Sequence, residues 1–212
     1  MSSTWSGLPE FAELLVNAIP CHLNSGQRLF KIGDRGDGCY RLDVGVLKVA
    51  MISQNAGERI VALIGPGGFV GNLAMIDGKP RSASVTALTE CELRFVKRAT
   101  FQQIAKKHPE IFRLLVRVLA ARLRESDDTI ASLAFMTMKA RVARALLELA
   151  ECLGGSAIVP RLVSQSEIAA MAGIARENAN RILSDFERRG LLTKSSECYQ
   201  VDKIKLVREI HS

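Results

Sequence analysis

These 212 residues contain no run of about 20 clean apolar residues, the usual length of a membrane-spanning helix. The two most apolar stretches, Ile60 to Val70 and Ile111 to Leu123, are broken by Gly and Pro or by Arg. Met1 to Gly7 holds no basic segment of the kind that opens a signal peptide, so a cytoplasmic protein with no membrane partner is expected. Clustered cysteines are missing too. Cys21, Cys39, Cys91, Cys152 and Cys198 are odd in number and far apart, with no C-x2-C pair. Local spacing therefore supports neither a zinc nor an iron–sulfur site, and five reduced thiols are expected. His22, His108 and His211 are scattered, and no nucleophile–base pair stands out, so neither a metal nor catalysis is expected.

What is present describes a folded protein with an anionic partner. Hydrophobic residues make up 48% and charged residues 24%, outside the disordered range. The length suits one large or two modest domains. The formal net charge of +7 suits a polyanion, nucleic acid first.

Three textures divide the chain. Leu8 to Ala18 reads as a short helix. From about Gln27 to Val96, short β-type runs follow at Leu29–Ile32, Cys39–Val44, Leu47–Met51, Arg59–Leu63 and Glu92–Val96, separated by Gly-rich turns. Many short strands at even spacing point to a barrel or jelly roll. From Pro109 to about Met136 neither Gly nor Pro interrupts, and Ile111, Leu114, Leu115, Val118, Ala121, Ile130 and Leu133 form a helical stripe. A helix of that length outruns a small barrel, and its own copy in a symmetric dimer is the economical partner. The boundaries read as a β-rich barrel over 1–108, a long dimerisation helix over 109–136, and a third unit over 137–212. In that unit Lys139 to Cys152 is an amphipathic helix closed by Gly154-Gly155, and Ala157-Ile158-Val159 is a strand candidate. Two helices and a terminal β-type segment complete it.

The third unit carries the sharpest local signal. Ser164 and Glu167 form a capping box. Ala169, Gly173, Ile174, Ala179 and Ile182 follow helix-turn-helix spacing: a small residue where two helices cross, a glycine in the turn, apolar residues locking the second helix down. Along that second helix, from about Ala175 to Arg189, Ala179, Ile182, Leu183 and Phe186 take one face. Arg176, Glu177, Asn180 and Arg181 take the other, an inventory suited to reading base edges in the major groove. Thr193 to Val201 reads as a wing hairpin. Lys194 there, with Gln165 and Arg161 near the first helix, are candidate phosphate contacts or plain surface residues, and Ser164 is a further candidate DNA-binding residue.

Across nearly its full length the sequence resembles the cyclic-AMP receptor protein (Crp/Fnr) family. Three stretches carry the likeness. Gly68-Phe69-Val70-Gly71-Asn72-Leu73-Ala74 with Arg81-Ser82-Ala83-Ser84-Val85 looks like the family's phosphate-binding cassette. Leu133-Ala134-Phe135 with Arg141-Val142-Ala143 looks like its hinge, and Arg176-Glu177 with Arg181 like its recognition helix. The resemblance implies an α+β protein: an N-terminal cyclic-nucleotide-binding jelly-roll β-barrel, a long dimerisation helix and a C-terminal winged helix-turn-helix. It implies a homodimeric transcription regulator that is gated by a cyclic nucleotide and binds a palindromic TGTGA-like operator in double-stranded DNA. RNA polymerase is a further implied partner. Arg81 would pair with the cyclic phosphate, helped by Ser82 and the amides of Gly71 and Ala83, with Leu73 part of the same cassette.

The departures bear on the ligand. Asn72 stands where the family has a Glu that accepts the ribose 2′-hydroxyl, and a neutral acceptor gives a weaker bond than a charged one. Ser126 and Asp127 take the base-contacting positions, where the cyclic-AMP receptor has Thr and Ser. An ionised Asp127 only accepts, from the adenine amino group or from guanine N1 and N2 hydrogens, so cyclic AMP leads and cyclic GMP stays open. Ala175 replaces the usual Ser cap of the recognition helix. The Fnr-type cysteine cluster is absent, which argues against oxygen sensing. A regulator of the same fold with another effector, or none, is the alternative.

Overall fold

The computed structural model describes residues 9–53, 57–160 and 163–211; Leu8 and Arg161 lie outside them. Its contacts divide into two compact units. One is built on residues up to Ala50 together with Ile64–Ser126, the other on Met51–Leu63 and the chain from Asp127 onward.

After a first helix, α1 (Pro9–Val16), eight strands follow: β1 (Ile19–Leu23), β2 (Arg28–Phe30), β3 (Gly38–Val44), β4 (Leu47–Ser53), β5 (Gly57–Ile64), β6 (Phe69–Val70), β7 (Ser84–Ala87) and β8 (Cys91–Lys97). They form two antiparallel four-stranded sheets, ordered β1-β8-β3-β6 and β2-β7-β4-β5. The non-sequential order is a jelly roll, as the Gly-punctuated strand pattern predicts. Alternate residues of both sheets, among them Leu23, Leu42, Leu47, Val70, Val85, Ala87 and Leu93, form its core. Their inward placement follows from the period-2 alternation of side chains along a strand.

A second apolar layer covers the outside of the first sheet. A six-residue helix, α2 (Asn72–Asp77), separates β6 from β7, and α3 (Arg98–Lys107) follows β8 directly. Leu14, Cys39, Phe69, Met75, Val96, Phe101, Ile104, Ile111 and Leu115 meet in this layer. The long helix α4 is unbroken from Ile111 to Phe135, about 37 Å at 1.5 Å per residue.

The C-terminal unit contains α5 (Met138–Cys152), β9 (Ile158–Pro160), α6 (Gln165–Ala172), α7 (Arg176–Arg188), β10 (Leu192–Lys194), β11 (Cys198–Val201) and α8 (Lys203–Ile210). Strands order β10-β11-β9, so the wing hairpin is backed by the short strand before the helix pair. The last element, α8, is a helix beyond the β-type segment with which the sequence pattern ends. Among the described residues no helix is long and apolar enough to cross a membrane, and no group of three or more His, Cys, Asp or Glu is placed to hold a metal ion.

Candidate functional site

Two regions, one in each unit, concentrate polar groups that the folding of their own unit does not consume. The first centres on Arg81, only 4% exposed inside the N-terminal unit. Its Nη1 donates to the carbonyl oxygens of Gly38 at 2.7 Å and Gly71 at 3.0 Å. Its guanidinium carbon lies 4.3 Å from the Phe30 ring centroid and 6.0 Å from that of Tyr40, a cation–π cage on the apolar side. Gly71 makes this pose possible. It has φ +79°, and a Cβ there would fall 2.2 Å from Arg81 Nη1.

The opposite edge of the same guanidinium is less fully bonded. Nε is buried with no hydrogen-bond partner, and Oδ1 of Asp37 stands 3.6 Å from Nη2. Nε and Nη2 form the parallel fork that matches two oxygens of a phosphate or carboxylate. Leaving a charged donor buried and unpaired is costly, and an anion on this fork would satisfy it.

Asn72 is 2% exposed at the start of α2. Its Oδ1 accepts from Nη1 of Arg122 on α4 at 3.1 Å, and its Nδ2 is buried without a partner. Arg122 also donates to the Phe69 carbonyl. Burial pulls the Arg122 guanidinium below the ordinary arginine value, against the opposing effect of Glu125. In the sequence Arg122 reads as one more solvated charge of the long helix. The available signal is its position four residues before Ser126, on the same helical face.

The other cassette residues are less enclosed. Leu73 and Ser82 are exposed and Ala83 is half-buried. Ser126 spends its hydroxyl on the Arg122 carbonyl at 2.9 Å, and both Ser126 and Asp127 are exposed on α4. Cys39 lies near Arg81, but burial pushes its thiol up to about 12, against the lowering pull of that arginine. It is a packing group, not a reactive thiolate.

The second region is the helix pair α6–α7. Ser164 Oγ accepts from the Glu167 amide at 3.2 Å, and the Glu167 carboxylate accepts from the Ser164 amide at 2.8 Å, completing the capping box. Ser164→Ala should destabilise the C-terminal unit by about 1 kcal/mol, read as a shifted denaturation midpoint with an unchanged slope. Gly173 closes α6 with φ +63° and begins the turn. On α7, Ala179, Ile182, Leu183 and Phe186 are buried, while Arg176, Glu177, Asn180 and Arg181 are exposed together on the far face. Ala175 makes no side-chain cap, as its methyl dictates.

Flanking contacts hold α7 in place. Asp185 accepts from Lys139 at 2.9 Å and from Arg188 at 2.9 Å, and Arg189 joins it to Glu209 of α8. Lys139, Arg188 and Arg189 hold the Asp185 carboxyl below its usual range, the Lys139 hydrogen bond contributing most. Gln165 is half-buried in the first turn of α6. Lys194 on β10 is paired with Glu187 of α7 at 3.0 Å, so in this structure its charge steadies the wing.

Residues 20–108 match the family model for a cyclic nucleotide-binding domain, and residues 140–209 match that for a Crp-like helix-turn-helix domain. A CRP-like cAMP-activated global transcriptional regulator of Mycobacterium tuberculosis is 34% identical over 175 residues, covering 81% of this chain and 78% of that protein. A CRP/FNR-family transcriptional regulator from Thermus thermophilus superposes with a TM-score of 0.77 at 25% identity, covering 92% of this chain and 99% of that one. The cyclic di-GMP-responsive global regulator CLP of Xanthomonas campestris shares the fold, with a TM-score of 0.78 at 22% identity over 91% of this chain and 97% of that one.

Proposed function

This chain belongs to the Crp/Fnr family of transcription regulators, and we propose that it is a homodimer whose operator binding is switched by a cyclic nucleotide held at Arg81. That it is a DNA-binding regulator with a cyclic nucleotide-binding domain follows from the two family matches. The effector, the dimer and the operator are the proposed parts.

The observation that carries the effector is the buried, unpartnered Nε of Arg81 beside an Nη2 that makes no hydrogen bond among the described residues. Two oxygens of a cyclic phosphate would fit that fork, with Ser82 and the amides of Gly71 and Ala83 as the further donors the family resemblance implies. The relative at 34% identity is cAMP-activated, which puts cyclic AMP ahead of cyclic GMP. Asn72, with one lone pair of its oxygen already engaged by Arg122, supplies a weaker acceptor for a ribose hydroxyl than a free carboxylate would. Ser126 and Asp127 of α4 are the residues proposed for the base, Ser126 as an acceptor only, since the Arg122 carbonyl holds its hydroxyl proton.

The dimer is supported by the far side of α4. Phe112, Val116, Leu123 and Ile130 are 49%, 64%, 64% and 65% exposed. Val116, Leu123 and Ile130 follow one another at intervals of seven, the repeat of a two-stranded coiled coil. Two copies paired there would present two α7 helices to a palindrome, each offering Arg176, Glu177, Asn180 and Arg181 to a TGTGA-type half-site. RNA polymerase is the further partner that the family implies.

The test is fluorescence anisotropy of a labelled TGTGA-palindrome duplex at fixed salt, with protein alone and with cyclic AMP, cyclic GMP or cyclic di-GMP. Tightening of tenfold or more by one nucleotide names the effector. High affinity that no nucleotide changes points to the same fold with another effector or none. In the same assay Arg181→Ala should lose about 1–3 kcal/mol of specific affinity, concentrated at one guanine. Equal loss on random duplex would reassign Arg181 to phosphate.

A further inference from the structure

The loop between β2 and β3 wraps the arginine that the proposed function assigns to the phosphate. The Arg81 amide donates to the Asp34 carbonyl at 2.8 Å, and its carbonyl accepts from the Gly33 amide at 2.9 Å. Further along, the Arg98 amide donates to the Asp37 carbonyl at 2.8 Å. Glycines on either side of Asp37 fix its backbone close to its neighbours. A Cβ at Gly36 would fall 2.2 Å from the Ala74 methyl, and one at Gly38 would fall 2.2 Å from the Val96 carbonyl oxygen. The loop backbone is therefore tied down, while the Asp37 side chain is 70% exposed.

That carboxylate stands beside the Nε and Nη2 edge of the guanidinium. Oδ1 is 3.6 Å from Nη2, close enough to feel its charge and too far to be a hydrogen bond. An anion seated on the fork needs Nη2 at about 2.8 Å, which brings its oxygens against Asp37. We propose that Asp37 is a resident counter-anion at the mouth of the Arg81 fork. It swings aside when a phosphate enters and thereby lowers the affinity of the site. The proposal rests on Arg81 being the phosphate-binding group. It adds that the threshold concentration of effector is set by a residue that never bonds to it.

Removing one like charge at this range, at an exposed side chain, should tighten anion binding by about three- to tenfold. The experiment titrates wild type, Asp37→Asn and Arg81→Ala with cyclic AMP, cyclic GMP and inorganic phosphate. Calorimetry reads the nucleotides, and the 15N-edited resonance of Arg81 Nε–H reads phosphate. Asp37→Asn should bind tighter than wild type, with a gain that shrinks as salt rises, and Arg81→Ala should bind neither class of ligand. Equal or weaker binding by Asp37→Asn overturns the proposal, as does an Arg81 resonance that phosphate leaves unmoved in both proteins. If no nucleotide binds but Asp37→Asn tightens phosphate at Arg81, nucleotide gating falls and the counter-anion stands.

Discussion

Arg81→Ala should abolish the response of operator binding to any cyclic nucleotide. A phosphate on the Nε and Nη2 fork makes two charge-assisted hydrogen bonds, each worth about 1.5–3 kcal/mol, so losing both costs about 3–6 kcal/mol, or roughly two to four orders of magnitude in affinity. Calorimetry should then detect no binding at millimolar nucleotide. The substitution also deprives the Gly38 and Gly71 carbonyls of their donor, at about 1–3 kcal/mol of barrel stability. A thermal melt recorded beside the titration separates a folded, silent sensor from an unfolded one. Arg81→Lys sharpens the comparison. It keeps the charge but has no fork, so it should recover folding better than it recovers the nucleotide response. A normal response in a folded Arg81→Ala protein would remove the ligand assignment altogether.

Leu123→Asp should take the dimer apart. Leu123 sits midway along the exposed stripe of α4, 64% exposed in one protomer, and a symmetric pairing would place it against or beside its own copy. Burying a leucine contributes about 1.5–3 kcal/mol, and the interface contains two. The substitution also sets two carboxylates into an apolar seam. Together these raise the dimer dissociation constant by roughly two to four orders of magnitude. Sedimentation at micromolar concentration should show a monomer, and operator affinity should fall with it, because one half-site carries only part of the contact energy. Far-ultraviolet circular dichroism should change little. The substituted side chain lies outside both apolar cores of the N-terminal unit. A protein that remained dimeric would place the interface elsewhere.

Where the sequence carries a period, the fold is legible in it; where an element is defined by its neighbours, it is not. The glycine-free run of α4, the capping box at Ser164 and the two faces of α7 follow from local chemistry and stand in the structure within a residue or two. In contrast, β1 reads Ile-Pro-Cys-His-Leu, with no alternation and a proline, and becomes a strand only by pairing with β8 from Ile19↔Phe95 to Leu23↔Cys91. Two-residue β6 and six-residue α2 are too short for any period to register. Helix α3 continues directly from β8, so no loop announces it. In α8, Ile204, Lys205 and Leu206 mimic strand alternation, but Asp202 caps the segment by accepting from the Lys205 amide and Leu206 packs inward.

The site divides in the same way. Arg81 and Asn72 are reached through resemblance, since neither period nor spacing marks a buried arginine. Arg122 and Asp37 escape a reading of the sequence because charges on a helix and in a glycine-rich loop look solvated until the chain is folded. Only folding brings together groups so far apart along the chain: 43 residues separate Gly38 from Arg81, and 50 separate Asn72 from Arg122.

Gly71 and Arg81 also bind each other's fate over generations. While residue 81 is an arginine in this pose, any side chain at 71 collides with it, so every drift away from glycine at 71 is penalised twice, by the collision and by the left-handed backbone. If the proposed anion is no longer needed, the arginine can shrink at the cost of its two carbonyl contacts, and only the backbone penalty still guards position 71. The favoured order of loss is therefore arginine first, glycine after. A descendant that keeps the glycine but has lost the arginine records a sensor recently abandoned, and one that has lost both records an old retirement.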